Sequence, residues 1–302
     1  MSILVVGSVA IDSVETPFGK GENVLGGSAT YFATSASFFT GVNLVAVVGE
    51  DFPQEHIDFL TSRNIDLSGL SRESGRTFQW KGRYGYDLNE AHTLDTQLNV
   101  FQTFRPRIPS QYADADYLIL ANIDPDLQLE VLEQVRSPRV TACDTMNFWI
   151  SSKPEALKKV ISRVDFLIIN EGEARQLTGE TNLVKAARAI QGIGAKNLII
   201  KRGEYGVLFF SGSSIFAAPA YPLESVFDPT GAGDTFAGGF MGYLANTGNL
   251  SEEGIRQAIV YGSVMASFTV EDFSLNRLKS LDYGQIEARY RSFKAMTHFD
   301  AL

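Results

Sequence analysis

Short apolar runs at 3–6, 44–48, 117–120, 140–143, 166–169, 198–201 and 207–210 alternate along this chain with segments of helical periodicity. The runs at 3–6, 44–48 and 166–169 show no polar alternation, as expected of strands covered on both faces. Candidate helices fall at about 28–39, 54–63, 127–135, 154–162, 171–178 and 182–192, and three more, at about 234–246, 252–270 and 284–296, close the chain. Strand–helix–strand alternation at this spacing means right-handed crossovers between parallel strands. The expected fold class is α/β: a three-layer α/β/α sandwich around a central, mostly parallel sheet. Ligands of such folds gather beyond the carboxyl ends of the strands.

Two segments break the alternation. In 77–86 the even positions Phe78, Trp80, Tyr84 and Tyr86 are aromatic and the odd positions Thr77, Gln79, Lys81 and Arg83 are polar. That period of two is a strand with one apolar face, and 97–101 is its expected partner. Residues 12–25 supply a further short strand pair, so a small β-sheet stands off the main body. With no internal repeat or linker, residues 1–302 read as one domain, with this small sheet inserted from about 12–25 and 76–103. Four rings on one face need a cover, which is expected to be the small sheet of a second subunit in a homodimer, or else the substrate and main body.

The chemistry concentrates in Asp228-Pro-Thr-Gly-Ala-Gly-Asp-Thr-Phe-Ala-Gly-Gly-Phe240. Small residues at Gly231, Ala232 and Gly233 leave backbone N–H groups uncovered just where a helix begins. Such a helix N-terminus attracts anionic oxygen. Asp234 adds a carboxylate at the edge of the same place. An anion cradle beside a fixed carboxylate suits phosphoryl transfer to a hydroxyl: the cradle holds the transferring group and Asp234 takes the proton. At a helix N-terminus Asp234 is expected to be a weak base. Asn170-Glu171-Gly172-Glu173 follows an apolar strand and suits a water-mediated Mg²⁺ site through Glu173, or a helix cap. Lys201-Arg202-Gly203-Glu204-Tyr205-Gly206 must turn tightly between two strands at Gly203 and Gly206.

The 228–240 string resembles the C-terminal signature of the PfkB, or ribokinase-like, family of carbohydrate and nucleoside kinases. Gly26-Gly27-Ser-Ala-Thr-Tyr-Phe-Ala33 is similar to the family's N-terminal Gly-Gly signature, and Asn170 with Glu173 to its Asn-x-x-Glu element. The resemblance implies ATP and Mg²⁺, a lid formed by the small sheet, and an acceptor site of Asp12, Gly26, Gly27 and Tyr31. It implies a nucleotide site of Asn170, Lys201, Gly203, Gly206, Asp228 and Thr230. Gly26 and Gly27 are expected to let the backbone approach the acceptor ring, and Asp144 and Asn147 to add polar groups nearby. At Lys201 or Arg202 many members carry a small hydroxyl residue, and at Tyr31 sugar kinases of the family often carry Asn, so an ordinary sugar pose is not implied. The expected acceptor is a small sugar or polyol, with a nucleoside, a sugar phosphate or a catalytically silent ligand-binding role as alternatives.

Composition narrows the classes. A net charge of −9 argues against nucleic acid as a partner. The single cysteine, Cys143, forms no internal disulfide and the three histidines show no metal-ligand spacing. No Walker Gly-x-x-x-x-Gly-Lys-[Ser/Thr] occurs, and Gly7-Ser-Val-Ala-Ile-Asp12 is not a dinucleotide fingerprint. Without an apolar run of membrane-spanning length or a signal-like start, a cytoplasmic enzyme with no membrane partner is expected.

Overall fold

A computed structural model describes residues 2–298. Thirteen strands run among the described residues: β1 Ile3–Val6, β2 Ala10–Thr16, β3 Gly19–Gly26, β4 Val42–Gly49, β5 Ile65–Glu73, β6 Phe78–Tyr84, β7 Ala91–Gln97, β8 Tyr117–Leu120, β9 Val140–Cys143, β10 Phe166–Asn170, β11 Asn197–Lys201, β12 Val207–Ser211 and β13 Ser214–Ala218. Nine form the main sheet in the order β13-β12-β11-β10-β9-β8-β1-β4-β5. From β11 to β5 every neighbour is parallel, and β12 and β13 are antiparallel additions. Each parallel strand is followed by helix or loop at the same edge, so Asp144, Asn170 and Lys201 meet at the carboxyl ends of adjacent β9, β10 and β11.

The apolar runs lack alternation because both faces of the sheet are covered. Ile3, Val5, Ile119, Phe166 and Ile168 enter one core with helices Ser28–Ala36, Ala232–Thr247 and Glu252–Thr269. Leu4, Val6, Leu118, Leu167 and Ile169 enter a second core with helices Pro125–Gln134, Pro154–Arg163 and Leu183–Ile193. Burying both side-chain sets of a central strand stabilises by about 1.5–3 kcal/mol per large aliphatic residue. No described helix is long and apolar enough to cross a membrane.

The second sheet has the order β3-β2-β6-β7. Strand β6 pairs with Ala91–Gln97, so of the expected 97–101 only Gln97 takes part, opposite Gln79. Residues Asn99–Thr103 instead form a 3₁₀ turn, from which Phe101 stacks on Phe78 at 5.2 Å. Nor do four rings share one face. Tyr86 lies beyond the strand end and is 89% exposed, while Tyr84 is buried. The parallel β2–β6 register sets Trp80 beside Asp12, and register partners point the same way. The aromatic side is therefore the Asp12 side, turned toward the main body. Lys81 and Arg83 are exposed on the other side, where Arg83 pairs with Glu15 at 3.0 Å. With Tyr84 buried and Tyr86 off the strand, the four-ring patch that called for a partner's sheet is not formed.

Candidate active site

Gly231 precedes helix Ala232–Thr247 with φ of 74°, and a Cβ there would lie 2.4 Å from the Tyr31 ring. Backbone conformation and packing thus both require glycine. Ala232 N–H donates to the Pro229 carbonyl at 3.1 Å, which closes the turn and withdraws that amide from the expected anion cradle. The amides of Gly233 and Asp234 donate to no described residue and remain open at the helix N-terminus. Asp234 is the third helical residue. Desolvation, then the charges of Asp144 and Glu173, push its carboxyl well above the usual range against the pull of Lys201. Burial first, and then the neighbouring carboxylates, oppose the helix dipole, which alone would make Asp234 a weak base.

Asp144, 7% exposed, follows β9, and Asn170 ends β10 in register with Lys201 at the end of β11. Asn170 and Glu173 form a reciprocal cap: Glu173 N–H donates to Asn170 Oδ1 at 2.8 Å and Asn170 N–H to Glu173 Oε2 at 2.7 Å. The Glu173 carboxyl is pushed up to about 7 by desolvation and then by Asp144. Asp144, Glu173 and Asp234 therefore crowd one another, which an added cation would relieve. Among the described residues no three such groups converge into a direct metal cage. That donor set fits a hydrated Mg²⁺ held through water and phosphate.

The two adjacent cations go to different places. Arg202 Nε donates to Glu171 at 3.2 Å and its guanidinium lies over the Tyr205 ring, so both Arg202 and Glu171 serve the local structure. Lys201 turns inward. The Gly203–Gly206 turn is closed by Arg202 N–H to the Gly206 carbonyl at 2.8 Å, and Asn89 of the β6–β7 connection lies against Gly203.

On the other side of the site Asp12, 4% exposed, is pushed up to about 7 by burial and by Asp228, against the opposing pull of the Gly27 N–H. A Cβ on Gly26 would come 1.9 Å from Asp12 Oδ2, and one on Gly27 would come 2.5 Å from the Ser8 carbonyl. These glycines make room for Asp12 and for the segment that leads into β2. Asp228 and Thr230 lie here too, not at the Gly203 turn. Asp228 accepts from Thr230 N–H at 2.9 Å and Ser274 N–H at 3.1 Å, and Thr230 Oγ1 meets Tyr84 Oη at 3.3 Å. The Tyr31 hydroxyl is buried without a hydrogen-bond partner among the described residues. Burial and the charges of Asp228 and Asp12 raise its pKa, so it stays a neutral donor. Asn147 does not join this group: it is exposed and its Oδ1 accepts from Phe148 N–H.

A family model described as pfkB family carbohydrate kinase matches residues 2–280. The chain belongs to that family. A cytidine kinase of Thermococcus kodakarensis is 36% identical over 265 residues, covering 85% of this chain and 92% of the relative. A ribokinase of Bacillus subtilis is 26% identical over 293 residues, covering 90% and 94%. The crystal structure of Methanocaldococcus jannaschii nucleoside kinase superposes with a TM-score of 0.77 at 19% identity, covering 96% of this chain and 98% of that one. As a pfkB-family kinase with these relatives, the protein is an ATP-using phosphotransferase acting on a hydroxyl acceptor, with the ribokinase-like fold.

For this pfkB kinase, sequence reasoning missed two placements. Tyr84 reaches Thr230 across the site, which the alternation of β6 allowed but did not specify. Asn89 touches Gly203, and no local pattern marks it.

Proposed function

We propose that the protein transfers the γ-phosphoryl group of ATP to a hydroxyl of a nucleoside. The observation that carries this reading is the register pair Asp12–Trp80 on the inner face of the small sheet. A carboxylate accepts from ribose hydroxyls, and an aromatic ring on the same face, lying over Gly82 with its N–H donating to Thr93 at 3.2 Å, offers a base a flat apolar surface. Tyr31, with its unpartnered buried hydroxyl, adds a donor where a nucleoside hydroxyl needs one. The cytidine kinase relative supports the same class, and the reading replaces the free sugar or polyol expected from sequence.

In this reading Asp234 accepts the acceptor's proton as the new O–P bond forms and the bond from the γ-phosphorus to the bridging oxygen breaks, releasing ADP. The raised proton affinity of Asp234 favours that role. The open amides of Gly233 and Asp234 hold the transferring group. Mg²⁺, when bound with the nucleotide, neutralises phosphate charge; Glu173 and Asp144 would orient its water shell. The small sheet, docked through Tyr84 and Asn89, excludes water from acceptor and donor together.

The test is a screen of cytidine, uridine, adenosine, inosine, ribose and fructose with coupled ADP detection. At least one nucleoside should exceed free ribose in kcat/KM by about a hundredfold, the combined scale of one stacked base and its hydrogen bonds. A preference for ribose, fructose or a polyol would overturn the nucleoside reading and leave the kinase chemistry standing.

A further inference from the structure

The position of Lys201 is not explained by an ion pair alone. Its side chain is 16% exposed, and its Nζ stands 3.6 Å from Asp144 Oδ2, longer than a charge-assisted hydrogen bond between well-seated partners. A Cβ on Gly233 would lie 2.7 Å from that Nζ. The ammonium therefore rests against the Cα of Gly233, at the mouth of the open amides. Three carboxylates face it from separate elements: Asp144 after β9, Glu173 on helix Glu171–Thr178 and Asp234 on helix Ala232–Thr247. Arg202, the adjacent cation, is held away by Glu171. An acid cluster around a lone inward lysine is poised to release it to a stronger anion.

We propose that Lys201 is a catalytic cation for the transferred phosphoryl group, parked on Asp144 in the free enzyme and drawn onto the terminal phosphate of ATP. It would act beside the Gly233 and Asp234 amides as a third donor, carrying a full charge where they carry only partial ones. A glycine at 233 is then needed for the ammonium as much as for the phosphate, because any side chain there would displace Lys201. This assignment rests on the donor half of the reading above and is independent of the acceptor.

The experiment is calorimetric titration of Mg·ATP and Mg·ADP, without acceptor, into wild type, Lys201→Met and Asp144→Asn, each first checked for a cooperative melt. Lys201→Met should weaken ATP by about tenfold or more, the scale of one charge-assisted contact, and ADP by less than about threefold. Asp144→Asn frees the lysine and also removes a carboxylate from the Mg²⁺ water shell, so it should weaken Mg·ATP and Mg·ADP alike and keep the ATP–ADP gap. Equal weakening of both nucleotides by Lys201→Met, or an unchanged ATP affinity, would overturn the proposal. So would loss of the gap in Asp144→Asn, which identifies the pair as structural and serves if the methionine variant fails to fold. Absence of ATP binding by the wild type would instead overturn the donor reading itself.

Discussion

The main sheet is sealed on both faces, whereas the small sheet covers one face and leaves its outer strand, Ala91–Gln97, exposed along its whole length. The residues of the site divide accordingly. Asp144, Asn170, Lys201 and the open end of helix Ala232–Thr247 belong to the sealed body, where close packing fixes positions to within fractions of an ångström. Asp12, Trp80 and Tyr84 belong to the small sheet, which meets the body along one face only, through Tyr84 with Thr230, Thr16 with the Phe227 carbonyl and Ser274 with the Leu25 carbonyl. Phosphoryl chemistry needs fixed donors, and acceptor exchange needs a part that can lift. The two regions should therefore respond differently to mutation: the body in kcat, the small sheet in acceptor KM.

Asp234→Asn should give the largest effect, a loss of kcat of about a hundredfold or more with ATP affinity nearly unchanged, measured by steady-state kinetics and titration. A value of kcat within a few-fold of wild type would remove Asp234 as the base. Trp80→Ser should raise the nucleoside KM about tenfold while leaving kcat within about threefold, the scale of one lost stacking surface. Should kcat fall instead, the division between the two sheets would be blurred. Glu173→Gln keeps the helix cap, because glutamine serves equally at that position, and removes only the charge. It should raise the Mg²⁺ concentration for half-maximal rate a few-fold. An unchanged Mg²⁺ dependence would leave Glu173 with capping alone.

The smallest effect concerns pH. The folded-state pKa of Asp12 is raised to about 7, so its contribution to stability is present at low pH and lost as pH rises through that value. Thermal melts of the ligand-free protein should show Asp12→Asn gaining on wild type between about pH 4 and about pH 7 and keeping a constant lead above about pH 8. Parallel melting curves across that range would mean that Asp12 is ionised throughout.

How much of this was legible in sequence follows from what each strand touches. Runs such as Ile3–Val6 stood out because burial on both faces leaves no polar position. Strand β5 did not, since it is the edge of the main sheet and Asp66, Ser68 and Gly69 interrupt its apolar residues. Strand β7 has no buried face at all, so no periodicity marks it. In the site, glycines beside an acid form a local pattern that brought out Asp234, whereas Asp12 came from the family resemblance alone. The placement of Lys201 against Gly233, the loss of the Ala232 amide to Pro229 and the use of Gly26 for Asp12 depend on approaches between distant segments. Spacing along the chain does not carry them.

The most direct test of the division between the two sheets is titration of cytidine, or the best nucleoside from the screen, into Asp234→Asn and Trp80→Ser. The variant without its base should bind the nucleoside within about threefold of wild type although it turns over at least about a hundred times more slowly, and the variant without its ring should bind about tenfold more weakly. Loss of nucleoside binding in Asp234→Asn, together with full-strength binding in Trp80→Ser, would contradict the account: recognition would then reside in the sealed body and not in the small sheet.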